Sequence, residues 1–265
     1  MAFFINDMYG PPMELTESIF ILLMGAAFIA GLIDSIAGGG GLIAMPALLF
    51  AGLPPLTVLG TNKLQGLFGT AVAAWSYSRK GHVNLVKLWP VAALSGLASA
   101  LGAWGATYLP AQWLEIIMPI ALLAIAIYFA VRPSLSDAKR PARIGALVFA
   151  VTVIPLIGFY DGIFGPGTGS FFMLAYVALA GYGLLAATAH TKLLNFASNV
   201  GAFAVFAMSG AVLWKIGLAM GMAQMAGAWC GSRLAMAKGA RLIRPLLVFT
   251  SLAMALRLLM NLYQV

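Results

Sequence analysis

Lys63 and Lys192 are the residues on which chemistry can be built, because each is a cation set in a stretch apolar enough for membrane burial. A buried charge in a span costs roughly 2.5–3.5 kcal/mol on insertion scales, so it normally has a partner or a function. Each lysine follows an aspartate and a run of glycines. The first set reads Asp34-Ser-Ile-Ala-Gly38-Gly39-Gly40-Gly41, then Thr61-Asn62-Lys63-Leu64-Gln65. The second reads Asp161-Gly-Ile-Phe-Gly165-Pro166-Gly167-Thr168-Gly169, then His190-Thr191-Lys192-Leu193-Leu194-Asn195. The chemistry this favours is the binding of a small anion.

The glycines supply the other half of such a site. Consecutive glycines hold a membrane helix poorly, since each costs about 1 kcal/mol relative to alanine. Half-helices are expected to begin near Gly41 and near Gly169, with N-terminal N–H groups pointing into the protein, where they favour anions. Broken segments at corresponding positions of two halves are the sequence pointer to a transporter's binding site. Asn62, Gln65, His190, Thr191, Asn195 and Asn199 are the polar candidates to line the path. Asp34 and Asp161 have three readings: capping a half-helix, pairing with a lysine, or carrying a coupling proton. The lysines could instead snorkel to the interface from helix ends. His190 could tune the site or simply start a helix.

The elements that must position these residues are membrane spans. The chain has 265 residues, 62% apolar and 8% charged, against roughly a quarter charged in soluble domains. Long apolar segments fall at roughly 16–36, 62–78, 88–108, 113–131, 144–160, 192–209, 213–231 and 243–263, with shorter ones at 42–53 and 170–182. Residues 1–14 hold no Lys or Arg, so the first apolar stretch reads as a retained span rather than a signal peptide. The single cysteine, Cys230, excludes an internal disulfide and gives no metal-ligand cluster. The net charge of +8 sits mainly in short loops, which the positive-inside rule explains without nucleic acid.

The halves match beyond the glycines: Gly96 to Trp104 with Gly221 to Trp229, Gly81-His-Val83 with Gly210-Ala-Val212, and Ile117-Met-Pro119 with Ile243-Arg-Pro245. The basic loop has changed places between them. Arg79, Lys80 and Lys87 follow the second long span, whereas in the other half Arg233, Lys238, Arg241 and Arg244 follow the third. Such a swap is expected of halves that cross in opposite senses. It requires an odd number of crossings per half. Four long spans plus one crossing short segment give five, placing both termini and the 107–112 loop outside. Re-entrant short segments are the alternative.

The fold class expected is therefore an all-α polytopic membrane protein of two inverted, pseudo-symmetric repeats, with about eight long spans and two short half-helices after the glycine breaks. Residues 1–15 form an N-terminal segment, 16–131 the first repeat, 132–143 a basic cytoplasmic linker and 144–265 the second repeat.

With these words in hand, the chain resembles the sulfite exporter TauE/SafE family over about residues 16 to 260. The words that carry the resemblance are Asp34 to Gly41, Thr61 to Gln65, Phe159 to Gly169 and Ala189 to Asn195, with Ser198-Asn199. It implies a bacterial inner-membrane permease for small sulfur anions such as sulfite or sulfonates, described with about eight spans. The site expected is Gly38, Gly39, Gly40, Gly41, Gly165, Gly167, Thr168 and Gly169 with the two lysines and their polar neighbours. The expected partners are a small anionic substrate and the lipid bilayer, without nucleic acid, cofactor or metal; a homodimer is left open.

Rival classes fit less well. An intramembrane aspartyl protease would need two aspartates in matched surroundings, which Asp34 and Asp161 lack, and no zinc helix or nucleophile elbow is present. A passive anion channel could use the same broken half-helices. Export is the expected direction, because the inside-negative potential opposes anion entry by about 2.3 kcal/mol per charge per 100 mV.

Overall fold

The computed structural model describes residues 3–5, 13–110, 112–113 and 141–238. The apolar segments at 113–131 and 243–263, the basic linker to Arg140, and the Ile117/Ile243 match therefore lie wholly or mostly outside the described residues. Two three-residue strands, β1 (Phe3–Ile5) and β2 (Met13–Leu15), pair antiparallel. All the long elements are helices: α1 (Glu17–Ala37), α2 (Gly41–Phe50), α3 (Pro55–Arg79), α4 (Leu85–Thr107), α5 (Ala146–Ile163, with a π-helical turn at Phe149–Val153), α6 (Thr168–Ala178), α7 (Leu184–Met208) and α8 (Trp214–Lys238).

By length and composition α1, α4 and α5 can each cross a bilayer. The 25-residue helices α3, α7 and α8 have the length, since about 20 residues suffice, but they are less apolar. They carry the polar residues of the interior. Pro55 opens α3, where a missing N–H is harmless, and the helix begins well before the apolar stretch at 62. Lys63 is consequently the ninth residue of α3, as Lys192 is of α7. Neither lies at a helix end.

The glycine breaks reverse the chain. Gly38 and Gly39 take positive φ of 79° and 97°, a region that a side chain would disfavour. Gly40 then lies against Ala30 and Asp34, so α2 runs back along α1. Met45, Leu48 and Leu53 join Leu23 and Ala27 in one apolar cluster. The second break does the same. Tyr160 stacks edge-on to Phe171 and Phe149 packs on Tyr176, so α6 returns along α5. The short segments thus return rather than cross. Five crossings per half is corrected on this point, because the positive-φ glycines make a hairpin of each broken pair.

Two apolar clusters sit at opposite ends, with the polar residues between them. Helices α1, α3 and α8 begin in the cluster holding Leu23, Leu59 and Ile216, and end in or beside the one holding Ile36, Tyr77 and Ala235. Helices α4 and α7 run the other way, from Ala92 and Leu184 to Ala106 and Phe206. Arg79, Lys80, Arg233 and Lys238 all fall at the Tyr77–Ala235 end.

The sequence halves interlock. α1 packs on α8 and α5 on α4, while α3 packs on α8 and α7 on α4; α3 and α7 meet in the middle. Glycines permit these approaches. A Cβ on Gly31 would strike the backbone of Gln224, and one on Gly158 that of Ser95; Gly231 lies on Leu32, and Gly102 on Phe159. With Asp34 matched to Asp161, these contacts match Ser95 with Gln224 and Gly102 with Gly231. The Gly96–Trp104 and Gly221–Trp229 match read from sequence would pair Ser99 with Gln224, and is therefore one helical turn out of register. Small residues spaced four apart match themselves after a one-turn shift, which explains the misreading.

Candidate functional site

The two breaks touch. Gly38 lies on the backbone of Gly169 and Ser170, and the Ser170 hydroxyl donates to the Ala37 carbonyl at 3.0 Å. Tyr77 braces one break by donating to the Ser35 carbonyl at 2.9 Å, and Tyr160 braces the other through the Pro166 carbonyl at 2.7 Å. This contact leaves no gap between the breaks, so the free space lies beside them, against the polar faces of α3 and α7.

Each lysine reaches across to the aspartate of the other half. Lys63 Nζ stands 2.8 Å from Asp161 Oδ1, and Lys192 Nζ stands 3.8 Å from Asp34 Oδ2. Lys192 also donates to the Asp34 carbonyl. The side chains of Lys63 and Lys192 are 1% and 0% exposed, so neither snorkels. Asp34 both pairs and caps, since Gly40 N–H donates to its Oδ1 at 3.1 Å. Burial of this kind is tolerable because each charge is matched; removing one partner of a buried pair costs about 3–5 kcal/mol.

A small polar cavity of about 30 Å³ lies among these groups, room for about two waters at 10–15 Å³ each. Of the residues expected from sequence, Asp34, Gly41, Asn62, Lys63, Asp161, Gly165, Asn195 and Asn199 line it. Gly38, Gly169 and Lys192 lie behind the lining, in contact with it or with each other. Others stand apart. Gln65 donates to the Asn62 side chain at 3.3 Å, and Thr168 to the Gly165 carbonyl at 2.7 Å. Thr191 Oγ1 is buried without a partner, and Gly39, Gly40 and Gly167 shape the breaks without lining the cavity. His190 belongs to a second cavity of about 370 Å³, with Asn84, Lys87, Tyr176 and Tyr182. There its Nδ1 lies 2.8 Å from the Ala186 carbonyl, with the two tyrosine rings against it.

Sequence reasoning missed Gly66, Thr70 and Gln224, which also line the central cavity. Two of them had a signal. Gly66 and Thr70 stand three and seven residues after Lys63, as Asn195 and Asn199 stand after Lys192, which is one helix face. Gln224 sits across from Gly69, whose lack of a side chain makes room for it. Its signal was hidden by the one-turn misreading.

The chain is similar over residues 23–258 to the family model described as sulfite exporter TauE/SafE. It is 59% identical over 246 residues to a probable membrane transporter protein, ORF9, of Sinorhizobium sp., covering 93% of this chain and 94% of that one. It is 43% identical over 254 residues to the probable membrane transporter protein YfcA of Escherichia coli K12, covering 93% and 94%. A Haemophilus influenzae relative described in the same words is 42% identical over 246 residues, covering 93% and 96%. No solved structure gives a significant match. With the model matched across most of its length, the chain belongs to the sulfite exporter TauE/SafE family of membrane transporters, not to a family of enzymes.

Proposed function

We propose that this transporter exports a small anion, sulfite or an organosulfonate, across the bacterial inner membrane by alternating access. The observation that carries the reading is the pair of Lys–Asp contacts made between the halves around a small polar cavity at the touching breaks. Lys63, Asn62, Asn195 and Asn199 line the cavity and offer donors to an oxyanion, and so small a space suits a carrier better than a wide pore.

The two repeats are inverted in this reading. Support comes from α3 and α7, and from α4 and α8, which run in opposite directions between the two apolar clusters. With each broken hairpin returning, α3 and α4 cross, and the apolar segment read from sequence at 113–131, which lies mostly outside the described residues, would supply the third crossing that keeps the number odd. The basic end is cytoplasmic by the positive-inside rule, which places both termini in the periplasm. Because the halves interlock, the units that rock are α1, α2, α3 and α8 against α4, α5, α6 and α7. Their seam is α3 on α7, with the touching breaks and the two Lys–Asp pairs spanning it.

The test is flux of sulfite and of a small sulfonate from proteoliposomes holding the full chain. Saturable flux, accelerated by the same anion on the far side, supports a carrier. Flux that never saturates identifies a channel, and flux of neither anion rejects the substrate class.

A further inference from the structure

The two ion pairs differ in ways that bear on turnover. Lys63 and Asp161 both line the cavity, whereas Lys192 does not. Lys192 is tied twice to residue 34, once to a backbone carbonyl that cannot move off independently, and Asp34 is itself held by Gly40 N–H. Asp161 is held differently. Its Oδ1 meets Lys63, while its Oδ2 is buried without any hydrogen-bond partner. Gly165, at φ 89°, lets the Lys63 ammonium sit where a Cβ would come within 2.7 Å of it. The unpartnered Oδ2 is a buried acceptor, a costly state unless the group is required to move.

We propose that the Asp161 carboxylate is a tethered stand-in for the transported anion. It occupies Lys63 when the site is empty and yields that place when substrate binds, while Lys192–Asp34 is the fixed latch that keeps the breaks together. This deepens the anion-carrier reading and rests on it for the identity of the natural ligand. A tethered anion neutralises Lys63 in the empty carrier, so the buried cation is never left uncompensated as the site changes sides. Substrate must displace an anion rather than enter a vacancy. Small compact anions are thereby favoured over neutral solutes.

The proposal is tested by anion rescue of thermal stability in purified full-length protein. Asp161→Ala leaves Lys63 uncompensated beside the cavity. Formate or sulfite should then raise its melting temperature saturably, by roughly 5 °C, relative to gluconate at equal ionic strength. Wild type, in which Asp161 already competes for Lys63, should show a much smaller shift, Asp34→Ala should show no more than wild type, and Lys63→Met added to Asp161→Ala should abolish it. If Asp161→Ala does not accumulate, Asp161→Asn removes the charge while keeping the shape and gives the same reading. Equal rescue of Asp34→Ala, or none at position 161, overturns the proposal. The outcome is independent of wild-type sulfite flux. Rescue without flux rejects the substrate class alone, and flux without rescue rejects the stand-in alone.

Discussion

Helices α3 and α7 present the same face to each other with different chemistry. Each carries a lysine at its ninth residue, and each places further cavity-lining residues three and seven positions later. On α7 those residues are Asn195 and Asn199; on α3 they are Gly66 and Thr70. The small side supplies room and the large side fills it, for the Asn199 amide lies against Gly66. Gln224 fills the space over Gly69 in the same way, while its counterpart Ser95 donates to the Leu194 carbonyl at 3.2 Å. Matched frames thus hold an unmatched site. In the proposed carrier, the matched frames would suit opening to either side, while one asymmetric set of groups would recognise the substrate.

The largest expected effect breaks the cross-half pairing. Lys63→Met and Asp161→Leu should each cost about 3–5 kcal/mol of stability. The double variant should recover most of that loss, and thermal melting of the four-protein cycle measures the coupling. Lys63 should couple to Asp161 and not to Asp34. Coupling to Asp34 would show that each pair forms within its own half, contrary to the interlocked packing. Next in size is the test of register. Gly102→Val should destabilise by about 1–3 kcal/mol, because its Cβ would meet the Phe159 backbone, while Gly105→Val, with open space around it, should be nearly silent. Melting temperatures of the two, side by side, decide it.

How much of this was legible in the sequence follows from the kind of signal each feature leaves. The breaks were legible because glycine runs are rare in apolar segments, and α2 and α6 begin at Gly41 and Thr168. The lysines were legible as charges where charges are expensive. Pairing with an aspartate was among the readings, but which aspartate meets which lysine was not legible, because a sequence does not show that the two breaks touch and so bring Asp34 to Lys192. The return of α2 was hidden too. A ten-residue helix has the same composition whether it crosses or comes back, and only the positive φ of Gly38 and Gly39 decides. Gly66 went unread because a glycine inside a helix signals packing as readily as a site.

Two smaller effects sharpen the comparison. Gly66→Asn gives α3 the side chain that α7 carries at the matching position. It should fill the cavity and lower anion flux about tenfold, as overpacking of about 1–3 kcal/mol would. The reciprocal Asn195→Gly enlarges the cavity and should relax selectivity toward bulkier sulfonates, read as the ratio of their fluxes. The smallest effects belong to the braces of the breaks. Tyr77→Phe and Tyr160→Phe each remove one hydrogen bond to a break carbonyl and should cost about 1 kcal/mol, seen as similar small drops in melting temperature. A much larger loss at Tyr77 would mean that the first break depends on its brace more than the second does.

In the proposed function the transported anion is bound beside Lys63 and Asp161. This placement is tested most directly by sulfite flux in proteoliposomes from wild type and from the charge-free pair variant Lys63→Met/Asp161→Leu, after melting curves show both folded. Saturable flux is expected in the wild type and none above empty vesicles in the variant. Equal flux in the two proteins would contradict that placement, and would move the transport path away from the glycine breaks.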